Sequence, residues 1–225
     1  MSRLFERYRV QKKHLNYESI KGSIVYRLVN TERNRELLED IPHKEFLDLS
    51  IVFQCMFAVG SRETASMLIH NVHMRLWDVT VDALFKTAEE NTPRLMGRKL
   101  MSMSYVICEI RQAESPEDFD RDACRSEFED CVPMYVLSNR YRTAGAACIL
   151  YTGILSEICD QFESSFYIIF SSIHEVLILP VDNTDGSSEI RAMIKEVNDT
   201  QVAAEEILSY SLYFYDREGY RLYIV

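Results

Sequence analysis

The 225-residue sequence contains no C-x-x-C pair, no H-E-x-x-H, no G-x-S-x-G elbow, no G-x-G-x-x-G and no G-x-x-x-x-G-K-[ST]. Zinc ribbons, dithiol redox sites, serine-hydrolase elbows and phosphate-cradling loops therefore have no motif to stand on. Glycine and proline are scarce, 7 and 5 residues, which excludes collagen-like and low-complexity chains. No apolar run reaches the roughly 18 residues needed to span a bilayer. The best, from Phe166 to Leu179, is interrupted by Ser171, Ser172, His174 and Glu175. The first residues, MSRLFERYRVQKK, carry no apolar core of a signal peptide. Basic residues are few: 25 Lys and Arg face 35 Asp and Glu, a net charge of -10 that opposes binding to a nucleic-acid backbone.

What is present is an ordinary globular composition, 47% hydrophobic and 27% charged, with 13 Tyr and 11 Phe that argue against disorder. The six cysteines have wide, irregular gaps, and Cys55, Cys108, Cys148 and Cys159 lie in apolar runs as buried free thiols do. This predicts six thiols in a reducing cytoplasm, with no disulfide framework.

Residues 1–24 read as a basic amphipathic segment, in which Arg3, Arg7, Arg9, Lys12 and Lys13 alternate with Leu4, Phe5, Tyr8 and Val10. Residues 25–225 read as one domain, or as two lobes joined by the acidic connection 114–130. Leu49–Ala58 predicts a buried strand, paired with 65–72 across the polar stretch 60–64. A helix is expected from Thr80, ended by Asn91 and Pro93, and another over 99–110. Strands are expected at 133–137, 144–150, 166–170 and 173–179, helices at 153–162 and 189–198, and a loop at 182–186. Two last strands flank Asp216-Arg217-Glu218-Gly219, with Leu212, Phe214, Leu222 and Ile224 on the inner face. Hairpin-length connections recur, so the fold class is α+β: a largely antiparallel or mixed sheet with helices packed on it.

Several segments carry a resemblance: Leu28-Val29-Asn30-Thr31-Glu32, Asp40-Ile41-Pro42, Glu90-Asn91-Thr92-Pro93-Arg94, Met134 to Asn139, Gly145-Ala146-Ala147, Ser171 to Val176, and Val197-Asn198 with Gln201-Val202. In this order they are similar to the C-terminal part of an uncharacterised bacterial domain-of-unknown-function family. The resemblance implies membership of a cytoplasmic family and no particular activity. Phe170 stands where that family often has a proline before its Ser-Ser-Ile-His segment.

Candidate chemistry is sparse. His174 and Glu175 interrupt a core strand, and burial there would tune both toward acid–base work, although neighbours on a strand face oppositely. Cys148 is a conceivable nucleophile with His174, but no local cation or helix N-terminus lowers its pKa. Asn91 and Arg94 at a helix end, and Asn139 and Arg140 after a strand, could meet an acidic ligand or simply serve as turn and cap residues. His70 and His73, read on a strand, face oppositely and lack a third ligand, so no metal is expected; no cofactor is expected either. The function expected is binding, to a protein or a small molecule. The alternative is a hydrolase-type enzyme using His174 with a carboxylate or Cys148. Oligomeric state is not written in the sequence.

Overall fold

The computed structural model describes residues 16–58, 65–129, 131–181 and 186–225. The basic alternation over 3–13, the connection 60–64 and most of the loop 182–186 lie outside the described residues.

The chain opens with a short helix, α1 (Tyr17–Ile20), and strand β1 (Ile24–Asn30). Helix α2 (Arg35–Asp40) follows, then β2 (His43–Phe46), β3 (Leu49–Ala58) and β4 (Ala65–Leu68). These strands form one antiparallel sheet in which β3 is flanked by β1 on one edge and by β2 and then β4 on the other. Ile24, Tyr26 and Leu28 on β1 and Leu49, Ile51, Phe53 and Cys55 on β3 point into the main core. The opposite face is covered too, because Val29 and Val52 pack with Leu38 of α2, and Val25 and Met56 with Met96. Two covered faces explain why β3 is largely apolar on both faces, broken only by Ser50 and Gln54, rather than an alternation.

The second antiparallel sheet has six strands in the order β10-β9-β7-β8-β6-β5. They are β5 (Lys99–Ser102), β6 (Tyr135–Ser138), β7 (Phe166–Ile169), β8 (Val176–Pro180), β9 (Leu212–Asp216) and β10 (Arg221–Ile224). Every pairing in both sheets is antiparallel, so the mixed alternative is set aside in favour of an antiparallel α+β fold. Leu137, Phe166, Ile168, Val176, Ile178, Tyr213 and Tyr215 join the core that the first sheet enters from the other side. Phe170 sits at this junction, fully buried, with its ring edge-on to Tyr213 (4.7 Å) and to Phe46 (6.4 Å). On the outer face, Ile169, Leu179 and Leu212 are covered by Ile194 of α8 (Ser187–Thr200).

The remaining helices are α3 (Asn71–Trp77), α4 (Val81–Met96), α5 (Met103–Glu114), α6 (Arg121–Ser126) and α7 (Ile154–Phe162). The Thr80 hydroxyl caps α4 by accepting from the Ala83 N–H at 3.2 Å. The helix passes through Asn91 and Pro93 to Met96 because Asn91, Thr92 and Met96 are buried against the first sheet, overriding the local stop signals. It ends at Gly97, whose φ of 60° suits glycine.

Four further expectations are corrected. Residues 99–110 split into β5 and α5, since Ser102 both ends a strand paired with β6 and accepts from the Tyr105 N–H. The expected strand 144–150 is instead a 3-10 helix, Gly145–Leu150, preceded by a left-handed Ala144 (φ 50°), and its small residues press on neighbouring backbone. A Cβ on Gly145 would lie 2.5 Å from the His174 carbonyl oxygen and 2.7 Å from the Asn139 nitrogen. Cys108 and Cys124 are joined by a disulfide that fastens α6 to α5 inside the acidic connection, so the prediction of six free thiols fails. In the C-terminal hairpin the main-core face is Tyr213 and Tyr215 with Leu222, while Leu212 faces α8, Phe214 is half-buried and Ile224 is exposed. Both faces of β9 are covered, so alternation alone could not identify the inner one.

Candidate functional site

His174 and Glu175 lie between β7 and β8, where the Ser172 hydroxyl accepts from the His174 N–H at 3.0 Å. The His174 ring is held on both sides. Its Nδ1 accepts from the Ala144 N–H at 3.3 Å, which leaves Nε2 to donate to Glu206 Oε1 at 3.1 Å. The Ser138 hydroxyl donates to the His174 carbonyl at 2.7 Å, so this corner ties β6, the 3-10 helix and the loop after α8 together. Glu175 is half-buried, and burial raises its pKa against the opposing pull of His174 and Arg142. Arg142 itself is paired with Glu109 of α5.

Cys148 is turned elsewhere. Its thiol donates to the Gly97 carbonyl at 3.8 Å, and burial pushes its pKa up to about 11, which keeps it protonated near neutrality. His174 and Cys148 thus have separate partners, and the lone pair that would serve a nucleophile already accepts from Ala144.

Asn91 and Arg94 bind backbone of their own chain. The Asn91 amide donates to the carbonyls of Lys21 (2.6 Å) and Ile24 (3.0 Å), and Arg94 donates to Gly22 (2.8 Å) and to the Asn91 side chain (2.8 Å). Together they fasten the entry to β1. Asn139 organises the turn after β6, donating to the Thr143 carbonyl at 2.7 Å and accepting from the Tyr141 N–H at 2.9 Å. Arg140 donates to the Met96 carbonyl at 3.2 Å and packs against Gly97, where a Cβ would come 2.6 Å from its Nε. His70 and His73 lie at the start of α3 rather than on a strand: the His70 N–H donates to His73 Nδ1 (3.0 Å), and Asp40 engages the His70 ring (2.7 Å). Their three-residue spacing therefore places the two rings together, 5.8 Å apart, by helix geometry.

On the other side of Gly97 is a cleft of about 500 Å³ between α4 and the start of α7. Glu89, Glu90 and Pro93 line one wall, Gly97 and Arg98 one end, and Tyr151, Thr152, Ile154 and Glu157 the other wall. The Tyr151 hydroxyl donates to the Gly97 carbonyl at 3.1 Å, which spans the cleft floor and links the two walls. Beneath Tyr151 lies Tyr26, 2% exposed, its ring 6.5 Å from that of Tyr151 and its hydroxyl without a hydrogen-bond partner. Burial, with Cys148 and Glu89 nearby, raises the Tyr26 pKa. None of the cleft-lining residues is among Asn91, Arg94, Asn139 and Arg140; of these, Arg140 packs against the lining residue Gly97. The only local signals that could have marked it are the Glu89-Glu90 pair near a helix end and the Gly97-Arg98 break.

The fold and the cleft define an antiparallel α+β protein with a pocket between two of its helices, α4 and α7. The chain belongs to a family of unknown function, DUF5688, whose profile matches residues 4–217. No curated protein and no solved structure is similar to it at a significant level. Among the described residues, no helix is long and apolar enough to cross a membrane.

Proposed function

We propose that this protein acts by binding a small ligand in the cleft between α4 and α7, and that His174 positions the structure rather than catalysing. The observation that carries this reading is a cleft of about 500 Å³ between α4 and α7, within the size range of small-molecule sites. The His174 ring, hydrogen-bonded at both nitrogens, and the protonated Cys148 thiol give the hydrolase alternative no support. Residues 25–225 act as one domain in this reading, supported by a core to which both sheets contribute. A cytoplasmic setting draws its support from the free buried thiols Cys55, Cys148 and Cys159, and the Cys108–Cys124 disulfide counts against it. The net charge of -10 favours partners other than nucleic acid.

A saturation-transfer screen of soluble fragments tests the reading, using the wild-type protein and Thr152→Trp. Thr152 is exposed at the cleft wall, so an indole there blocks the space without entering the core. Hits that vanish in a variant with unchanged melting temperature are the expected result. Hits that all persist would place binding elsewhere and defeat the proposal.

A further inference from the structure

We infer that the Cys108–Cys124 disulfide is a redox-sensing bond, reduced by small thiols in the folded protein with Cys124 as the leaving sulfur, and that its reduction releases α6 from α5. It is the only disulfide among the described residues, and three other buried cysteines, Cys55, Cys148 and Cys159, are thiols. One bond in such a chain is no framework of the secreted kind, and where thiols are kept reduced a disulfide that forms is catalytic or sensing.

The surroundings of the two sulfurs differ as thiol–disulfide exchange requires. Arg111 Nη1 lies 3.8 Å from Cys124 Sγ, so a guanidinium stands beside the charge that develops on that sulfur as the bond breaks. Glu127 also engages Arg111, at 2.7 Å, and offsets part of this charge. Cys108 lines a small surface pocket with Tyr105, Glu109, Arg121 and Arg125. Glu109 is neutralised by Arg142, whereas Arg121 donates to the neutral Gln112 and Arg125 has no ion pair among the described residues. The pocket is therefore net cationic and draws a thiolate toward Cys108.

A small thiolate of the glutathione class attacks Cys108 Sγ and forms a mixed disulfide with it. The Cys108–Cys124 bond breaks, and its electron pair leaves on Cys124 beside Arg111. A second such thiolate attacks the outer sulfur of the mixed disulfide, releasing Cys108 as a thiolate and forming the reductant's own disulfide. Two electrons pass to the protein, and each cysteine takes up one proton from solvent in becoming a thiol.

Helix α6 has little else to hold it. Cys124 is its only buried residue, and its 6 residues are too few to stay helical alone. Its other ties to α5 are exposed: Arg111 with Glu127, Arg121 with Gln112, and the Arg111 guanidinium 6.0 Å from the Phe128 ring. Surface contacts of this kind contribute little without the bond.

Glutathione buffers running from oxidised to reduced test the inference on the native protein, with each equilibrium approached from both sides, quenched in acid and read by alkylation and mass spectrometry. Cys108 and Cys124 are expected to pass together between disulfide and thiols at one buffer ratio from either direction. Near-ultraviolet circular dichroism should stay native throughout, while amide exchange speeds up over 115–129 in the reduced form. Cys131→Ser should leave the ratio unchanged, since that exposed thiol takes no part in the step. Arg111→Gln, checked for native circular dichroism, should slow reduction about tenfold. A bond that stays oxidised in reduced glutathione until urea unfolds the whole protein is a structural clamp and overturns the inference. Reduction that leaves exchange over 115–129 unchanged overturns the release of α6, and a rate that Arg111→Gln does not lower overturns Cys124 as the leaving sulfur.

Discussion

The Tyr213 hydroxyl of β9 donates to Asp48 Oδ1 in the β2–β3 turn, joining the six-stranded sheet to the other across the core boundary. The second carboxylate oxygen of Asp48 accepts from the hydroxyls of Ser209 (2.6 Å) and Ser211 (3.1 Å). One carboxylate thus satisfies three hydroxyls, among them that of the fully buried Tyr213. Removing it strands a buried donor, so Asp48→Ala should cost roughly 3 kcal/mol and Tyr213→Phe about 1.5–3 kcal/mol. In urea unfolding the double substitution should cost less than the sum of the two. A loss under about 0.5 kcal/mol for Asp48→Ala would show that the two sheets do not depend on this junction.

The C-terminal hairpin offers a second check. Tyr215 packs in the main core against Phe166, with ring centroids 5.1 Å apart, whereas Phe214 is half-buried between Tyr167 and Tyr223. Tyr215→Ala should cost about 3–5 kcal/mol and Phe214→Ala about half that. The opposite ranking in denaturant titrations would restore Phe214 to the inner face.

Redox state gives the third. Unfolded without reductant, the protein should present four thiols to a labelling reagent, because Cys108 and Cys124 are bonded. Paired serine substitutions at those positions, which open a loop closed over a sequence separation of 16, should lower stability by about 3 kcal/mol. Six labelled thiols would remove the α5–α6 clamp from the account.

Alkaline pH supplies the fourth. Burial raises the pKa of Cys55 and Cys148 from 9.0 to about 11 and moves Tyr26, Tyr151 and Tyr213 upward as well. The folded state therefore holds these protons more tightly than the unfolded chain does. Their contribution is complete below pH 9 and is lost as pH climbs toward 11 and beyond. Urea midpoints should hold between pH 7 and 8.5 and fall clearly by pH 10.5. A flat profile to pH 11 contradicts the buried assignment of these groups.

Elements whose signal is local were legible in the sequence. Strand β3 announces itself as an apolar run, and α7 by Ile154, Leu155, Ile158 and Phe162 at helical spacing. Where partners far along the chain decide, local reading failed. Lys99–Ser102 is a strand because β6 pairs with it, and Gly145–Leu150 coils because its small residues press on Ser138 and His174. His174 was conspicuous as a polar break, yet the occupants of its two nitrogens, Ala144 and Glu206, come from 30 and 32 residues away. The cleft was the least legible feature. Glu89 and Tyr151 meet only through tertiary packing, and neither sits in a motif that sequence spacing could expose.

The most direct measurement is nuclear magnetic resonance on protein labelled with ¹³C at the tyrosine rings, with the Tyr151 resonance assigned through Tyr151→Phe. The Tyr151 ring lines the cleft, whereas Tyr213 is sealed in the core and serves as an internal control. Titration with the fragment hits should shift Tyr151 saturably while Tyr213 stays still. Ligands that bind yet leave Tyr151 unmoved would contradict the assignment of the cleft as the binding site.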